Sequence, residues 1–351
     1  MIATGTEVIK KQSDCLIDGR VAWADLCRVI AIFGVMVIHA CGANFHQYGN
    51  IPQDVWRITS LLDSLFRCSV PLFVMLSGAL LLKPGEYTNL QQIMGRVGKI
   101  LFPLLTWNVG FLLYVAHYNK LPINWTTMLT DLPMYHLWFV YMMIGLYLFL
   151  PLFQALFNMM HSSRSMQVYL LGIWFVVTCV PIYLPIPLLT LIQQTSFLGY
   201  GGYFLIGGII ASSKRDPVHT LAWLLIYITG ASVTYLLTQY FCEKAHAAIE
   251  PPYVSPIVFV CSIAAFTLIT RVSIPDFIKK YLLWMADKTF LVFFMHVVIL
   301  ERVSRSNAIL LISRHIPTFT SILLIAFCTF IISLFIATGI RLLPWSRRIF
   351  G

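Results

Sequence analysis

A chain of 351 residues that is 59% hydrophobic and 11% charged, with a mean hydropathy of +0.81, has too little polar surface to cover a water-soluble globule of its size. Its formal charge of +10 would suit nucleic acid in a soluble protein, but in so apolar a chain it reflects the cationic loops that fix membrane orientation, and no nucleic-acid partner is expected. The eight cysteines (15, 27, 41, 68, 179, 242, 261 and 328) include no CxxC pair and no cysteine–histidine cluster of zinc spacing, so neither a disulfide framework nor a metal site is predicted.

Residues 1–22, with Lys10, Lys11, Asp14, Asp18 and Arg20, show no small-residue cleavage pattern and are expected to form a retained cytoplasmic tail. A spanning helix needs about 20 apolar residues. Segments near that length occur at 28–46, 58–82, 100–117, 136–157, 168–184, 196–212, 218–240, 254–270, 287–303 and 318–341. The fifth is the weakest, its tail carrying Pro181, Pro185 and Pro187, and Phe277 to Ala286 is expected to lie in the interface before the ninth span enters. The predicted fold is an all-α integral membrane bundle of about ten transmembrane helices over 23–343, followed by a short cytoplasmic tail, 344–351.

Orientation follows from the distribution of Lys and Arg. With the N-terminus inside, only Arg57, Lys120, Lys244, Arg302, Arg305 and Arg314 fall on the outer side and Arg67 inside a helix; the rest are cytoplasmic. Both termini are therefore expected in the cytoplasm. The chain has no evident internal repeat, which disfavours transporter architectures built from related halves.

In the first span Arg28 and His39 lie eleven residues apart, close to three helical turns, so they share one face with a rise of roughly 16 Å between them. Arg28 is placed at the cytoplasmic mouth and His39 about halfway through the hydrocarbon. A guanidinium at the rim suits a phosphate-bearing ligand, which its planar fork can hold bidentately. An imidazole at depth suits proton abstraction. Coenzyme A has this shape, with phosphates at one end and a thioester at the end of a thin arm. Arg28 has a second reading as an interfacial anchor paired with Asp25 at i, i+3. His39 is harder to read as structural, because ionisable residues at mid-membrane are rare and mark function. Cys27 and Cys41, on the same helix, read as small buried hydrophobes.

The run from Trp23 to His39, with Arg28 and His39 separated by ten residues, resembles the opening signature of the acyltransferase-3 family of integral membrane acyltransferases. Later blocks agree in order: Phe66-Arg67-Cys68-Ser69-Val70-Pro71-Leu72-Phe73 with Ser77-Gly78; Arg96-Val97-Gly98-Lys99, similar to the family's basic RxxR-type loop with Lys in the second place; His136-Leu137-Trp138-Phe139 through Leu146-Tyr147; and Lys288-Thr289-Phe290 through Met295-His296. The likeness spans roughly residues 20 to 340. Within the family the chain is most similar to the standalone polysaccharide O-acetyltransferases, such as the group modifying enterobacterial common antigen.

The resemblance implies an enzyme of the bacterial inner membrane that moves an acyl group, usually acetyl from acetyl-CoA, to a hydroxyl of a surface polysaccharide or lipid-linked glycan, with no metal. Acyl-CoA, the glycan acceptor and membrane lipids are the expected partners. His39 is carried over as base or transient acyl carrier, Arg28 with Arg96 and Lys99 as donor-binding residues, and Arg67 as a group that holds the donor or the developing charge. At position 99 the charge is kept and the planar fork lost.

The supporting residues keep a structural reading beside the functional one. Asp63 and Arg67, at i, i+4 with the acid first, form a favourable helical pair that could simply staple helices. Arg96 and Lys99 also serve as orientation signals. His296 stands at a depth comparable with that of His39 and could face the same cavity, or be hydrogen-bonded within the bundle. His136 fits an interfacial belt as well as an acceptor site, and His46, two turns past His39, fits a solvated loop. A transporter or flippase for a glycan, lipid or small molecule would use the same intramembrane charges, and a purely structural subunit would tolerate their loss. With no soluble esterase-like module, the bundle itself must deliver the acyl group or hand it to a separate protein.

Overall fold

The computed structural model describes residues 16–17, 20–120, 132–184, 196–213 and 218–350. The expected tail residues Lys10, Lys11, Asp14, Cys15 and Asp18, the prolines 185 and 187, and Lys214 and Arg215 lie outside the described residues. Apart from a two-residue antiparallel pairing of Leu16–Ile17 with Arg20–Val21, the described chain is helical.

The helices are α1 (Ala22–Phe45), α2 (Gln53–Phe66), α3 (Ser69–Leu81), α4 (Leu90–Asn119), α5 (Trp138–Leu148), α6 (Leu150–Ser162), α7 (Arg164–Thr178), α8 (Ser196–Ser212), α9 (Thr220–Ala245), α10 (Pro256–Arg271), α11 (Asp276–Ala286), α12 (Thr289–Ser304), α13 (Asn307–Ser313), α14 (Thr318–Arg341) and α15 (Ser346–Ile349). Among the described residues six segments are long and apolar enough to cross a membrane: α1, α2 with α3, α4, α7 with its trailing turn, α9 and α14. Two bent pairs qualify when joined, and α8 and α10 are shorter apolar helices.

Where the helices depart from the expected spans, a local cause is visible. The second span breaks at Arg67 and Cys68 rather than running through, because Pro71 has no N–H to give the Arg67 carbonyl four residues earlier. The fourth expected span, 136–157, is bent by 66° between α5 and α6, where Pro151 sits at the restart. Ahead of the ninth expected span, α11 is a separate helix set at 63° to α12. Helix α1 begins at Ala22, so Arg28 lies inside it, more than a turn from its start, and is neutralised there by Asp25.

Close packing fixes the bundle. A side chain at Gly78 would bring its Cβ within 1.8 Å of the Phe204 carbonyl oxygen, and one at Gly207 within 2.0 Å of that of Met75. Helices α3 and α8 therefore meet backbone to backbone, the approach that small residues allow in a membrane. One buried cluster joins α3, α5, α6 and α8; a second joins α1, α4, α12 and α14, with α1 bordering both. That position makes α1 the spine on which the polar residues are assembled.

Candidate active site

The polar residues gather at two places along α1. Near its start, a cavity of about 510 Å³ is lined by Arg28, by Arg96 and Lys99 of α4, and by Ser77 and Tyr147. The three cations expected to act together are thus brought to one wall. Arg28 also contacts Asp25, a buried carboxylate on its own helix, so the anchor pairing and the cavity lining coexist. Phe73, Phe139 and Phe293 line the same cavity. The Phe139 ring lies 5.8 Å from Phe73 and 5.5 Å from Phe293, forming an aromatic layer.

Beyond that layer are the histidines. Phe293 is 5.5 Å from His136 and 5.7 Å from His296 between ring centroids. His39 on α1 lies 5.2 Å from His296 on α12, which in turn lies 5.1 Å from His136. His39 and His296 therefore do face one another from different helices. His136, which fitted an interfacial belt, is instead buried within this group. His39 does not line the cavity of Arg28: the expected slot is divided by the phenylalanines.

Hydrogen bonds orient the rings. A carbonyl oxygen can only accept, so His296 donates from Nδ1 to Phe293 and His136 donates from Nε2, at 3.3 Å, to Phe294. The opposite nitrogens, His296 Nε2 and His136 Nδ1, are buried without a hydrogen-bond partner among the described residues. His39 is partly exposed, and its Nδ1 lies 3.4 Å from the Tyr135 hydroxyl. Tyr135 itself is exposed, so the histidines open toward the end of the bundle opposite the cation-lined cavity. Among the described residues no group of three His, Cys, Asp or Glu has metal-site geometry.

Arg67 forms a separate node. It is 2% exposed, and its guanidinium donates from Nη1 to Asp63 (3.0 Å), from Nη2 to Glu250 (2.8 Å) and from Nε to the Pro251 carbonyl (2.6 Å). The Tyr253 ring lies under it at 4.4 Å. The expected Asp63–Arg67 pair is present, but its larger effect is to pin the segment between α9 and α10 into the bundle. The Tyr203 hydroxyl donates to the Tyr253 carbonyl at 2.6 Å, and Trp138 stacks on the Tyr253 ring. Burial pushes the Tyr253 phenol above its ordinary range, against the pull of Arg67. Glu250 is half exposed and also meets His46 at 3.2 Å, which ties that loop histidine to the same node. Arg67 makes no hydrogen bond or ring contact to the three histidines.

Sequence reasoning did not single out Tyr135, Phe73, Phe139, Phe293, Glu250 or Tyr253. Tyr135 adjoins His136, and the phenylalanines stand in the blocks already quoted. Glu250 was visible only as an acid in an apolar joint.

Fold and site together define a multi-pass membrane protein in which a cationic cavity and a histidine group are held on the two ends of one helix. The acyltransferase-3 family model, described as an acyltransferase domain, matches residues 21–338: the chain belongs to this family and is an acyltransferase. No curated protein and no solved structure matches the chain.

Proposed function

We propose that the protein transfers acetyl from cytoplasmic acetyl-CoA to a hydroxyl of a surface polysaccharide or lipid-linked glycan, in the inner membrane of a bacterium. Its finer kinship is with the standalone polysaccharide O-acetyltransferases. The observation that carries the reading is the division of α1, with Arg28 among three cations at one end and His39 among three histidines at the other. Counting the two bent pairs and the two shorter helices as crossings would give ten spans, an even number that supports both termini on one side, and the excess of Lys and Arg there supports the cytoplasmic side.

The 3′-phosphate and diphosphate of the donor are held by Arg28, Arg96 and Lys99, with Ser77 and Tyr147 as further hydrogen-bonding groups. The pantetheine arm passes between Phe73, Phe139 and Phe293, and its length matches the rise of roughly 16 Å from Arg28 to His39. The mechanism takes the His39 tautomer in which Nδ1–H donates to the Tyr135 oxygen, 3.4 Å away, and Nε2 keeps its lone pair. In direct transfer this nitrogen takes the acceptor hydroxyl proton as the oxygen attacks the thioester carbonyl; the C–S bond breaks, the ester C–O bond forms, and the proton leaves on the coenzyme A thiolate. In the two-step alternative His39 carries the acetyl group before the hydroxyl collects it. Arg67 supports the acceptor side by holding the Glu250 segment, and its positive charge opposes that of any cation brought near the histidines.

The test is purified protein in lipid, supplied with labelled acetyl-CoA and with glycan extracted from cells lacking it. Release of free coenzyme A thiol with an acetyl mass increment on the glycan is expected. Movement of glycan across the bilayer with neither product would sink the reading in favour of a transporter.

A further inference from the structure

A second cavity, of about 450 Å³, shares no lining residue with the one at Arg28. Two arginines line it from different helices, Arg164 at the first position of α7 and Arg271 at the last of α10. Each is held in place locally: Arg164 donates to Gln167 Oε1 and Arg271 to the Val218 carbonyl, both at 2.7 Å. Ser213 and Thr270 line the same site, their hydroxyls donating to the Ile209 and Thr267 carbonyls and keeping lone pairs free to accept. One part of the lining is therefore suited to the oxygens of a phosphate, which arginine forks bind with geometric specificity.

The rest of the lining is of opposite character. Ile206 and Ile210 of α8 and Val168 of α7 present hydrocarbon, and Trp23 and Trp223 are the amphipathic rings that settle at headgroup depth. Helices α7 and α9, which flank the cavity, are the least covered by the rest of the protein among the six long apolar segments. Their outward faces carry Val168, Tyr169, Leu221 and Leu225, all exposed, so the cavity adjoins surface that faces acyl chains. A soluble anion would use the arginines but not the isoleucines. A neutral lipid would use the isoleucines but not the arginines.

We propose that this cavity binds one anionic glycerophospholipid, its phosphate between Arg164 and Arg271 and the start of an acyl chain along Ile206 and Ile210. The site is independent of the acyl-donor reading.

The experiment is native mass spectrometry of the full chain released from micelles after incubation with phosphatidylglycerol or phosphatidylcholine. A single phosphatidylglycerol adduct is expected, retained at least about tenfold better than phosphatidylcholine, because both lipids carry the phosphate but the choline cation would be set against the two guanidiniums. The Arg164→Gln/Arg271→Gln pair should lose the preference. Ile210→Trp, which obstructs the proposed path of the acyl chain along Ile206 and Ile210 and leaves both arginines, should lose the adduct, so the result does not depend on the charge variant folding. Equal retention of the two lipids, or retention by Ile210→Trp, would overturn the proposal. Displacement by millimolar inorganic phosphate would make this a free-anion site, and displacement by acetyl-CoA a second donor site; either overturns it as well. Retention in Arg28→Ala would separate it from the catalytic reading.

Discussion

His39 and His296, 257 residues apart in the chain, hold their rings 5.2 Å apart in the bundle, and only His39 of the two is partly exposed. That asymmetry fits the roles proposed for them: the partly exposed ring is open to an acceptor, and the buried one is locked to the Phe293 carbonyl beside it. His39→Asn should lower acetyl transfer by about 10²- to 10⁴-fold, the range for a general base, while the protein still inserts and purifies normally. Labelled acetyl-CoA turnover in proteoliposomes measures this, and full activity in the variant would remove His39 from the mechanism.

Tyr135→Phe deletes one hydroxyl next to His39 Nδ1 and nothing else. A hydrogen bond of this kind contributes about 0.5–1.5 kcal/mol. A fall in kcat of roughly two- to tenfold is therefore expected, with the KM for acetyl-CoA unchanged. A change confined to KM would mean that Tyr135 touches the donor instead.

Arg28→Ala and Arg96→Ala act far from the reacting bond. On the proposed donor reading each removes a charge-assisted phosphate contact of about 1.5–3 kcal/mol, so the KM for acetyl-CoA should rise on the order of ten- to a hundredfold while kcat holds. Lys99→Ala should do less, because an ammonium lacks the bidentate fork. Acetyl-3′-dephospho-coenzyme A resolves the contact: the advantage of the full coenzyme over it as donor should disappear in whichever variant has lost the 3′-phosphate contact.

Arg67→Met leaves Asp63 buried without its partner and releases Glu250 and Pro251. Breaking one side of a buried ion pair costs about 3–5 kcal/mol. A lower melting temperature in detergent is expected, along with faster proteolysis between α9 and α10. The double change Asp63→Leu/Arg67→Met should recover most of the thermal stability, since no stranded carboxylate then remains at position 63. Recovery of stability without activity would identify the Glu250 segment as the part of this node that the reaction needs.

The pattern of what the chain disclosed in advance follows the range of the forces involved. Arg28 and His39 share a helical face, and Asp63 reaches Arg67 across one turn, because helical geometry alone dictates both. The contacts of Arg67 with Glu250 and of His136 with His296 join residues far apart in sequence, and they depend on which helices pack together. In a membrane that choice rests on close-fitting small residues such as Gly78 and Gly207 rather than on a hydrophobic stripe, and a uniformly apolar helix does not advertise its partner. The division of the expected slot was hidden for the same reason: phenylalanines at 73, 139 and 293 look alike in sequence whether they face lipid or one another.

Those three rings have a consequence for the cell as a whole. A string of imidazoles, hydroxyls and guanidiniums from one side of a membrane to the other would conduct protons down the gradient that drives ATP synthesis. Hydrocarbon between Arg28 and His39 would interrupt such conduction, while rings can part for a slender arm and close behind it. Phe293→Ala should then be costly in a way no transferase assay reports: its expression would slow growth and acidify the cytoplasm, as a dissipating leak does, even in cells that have no use for the acetylated glycan.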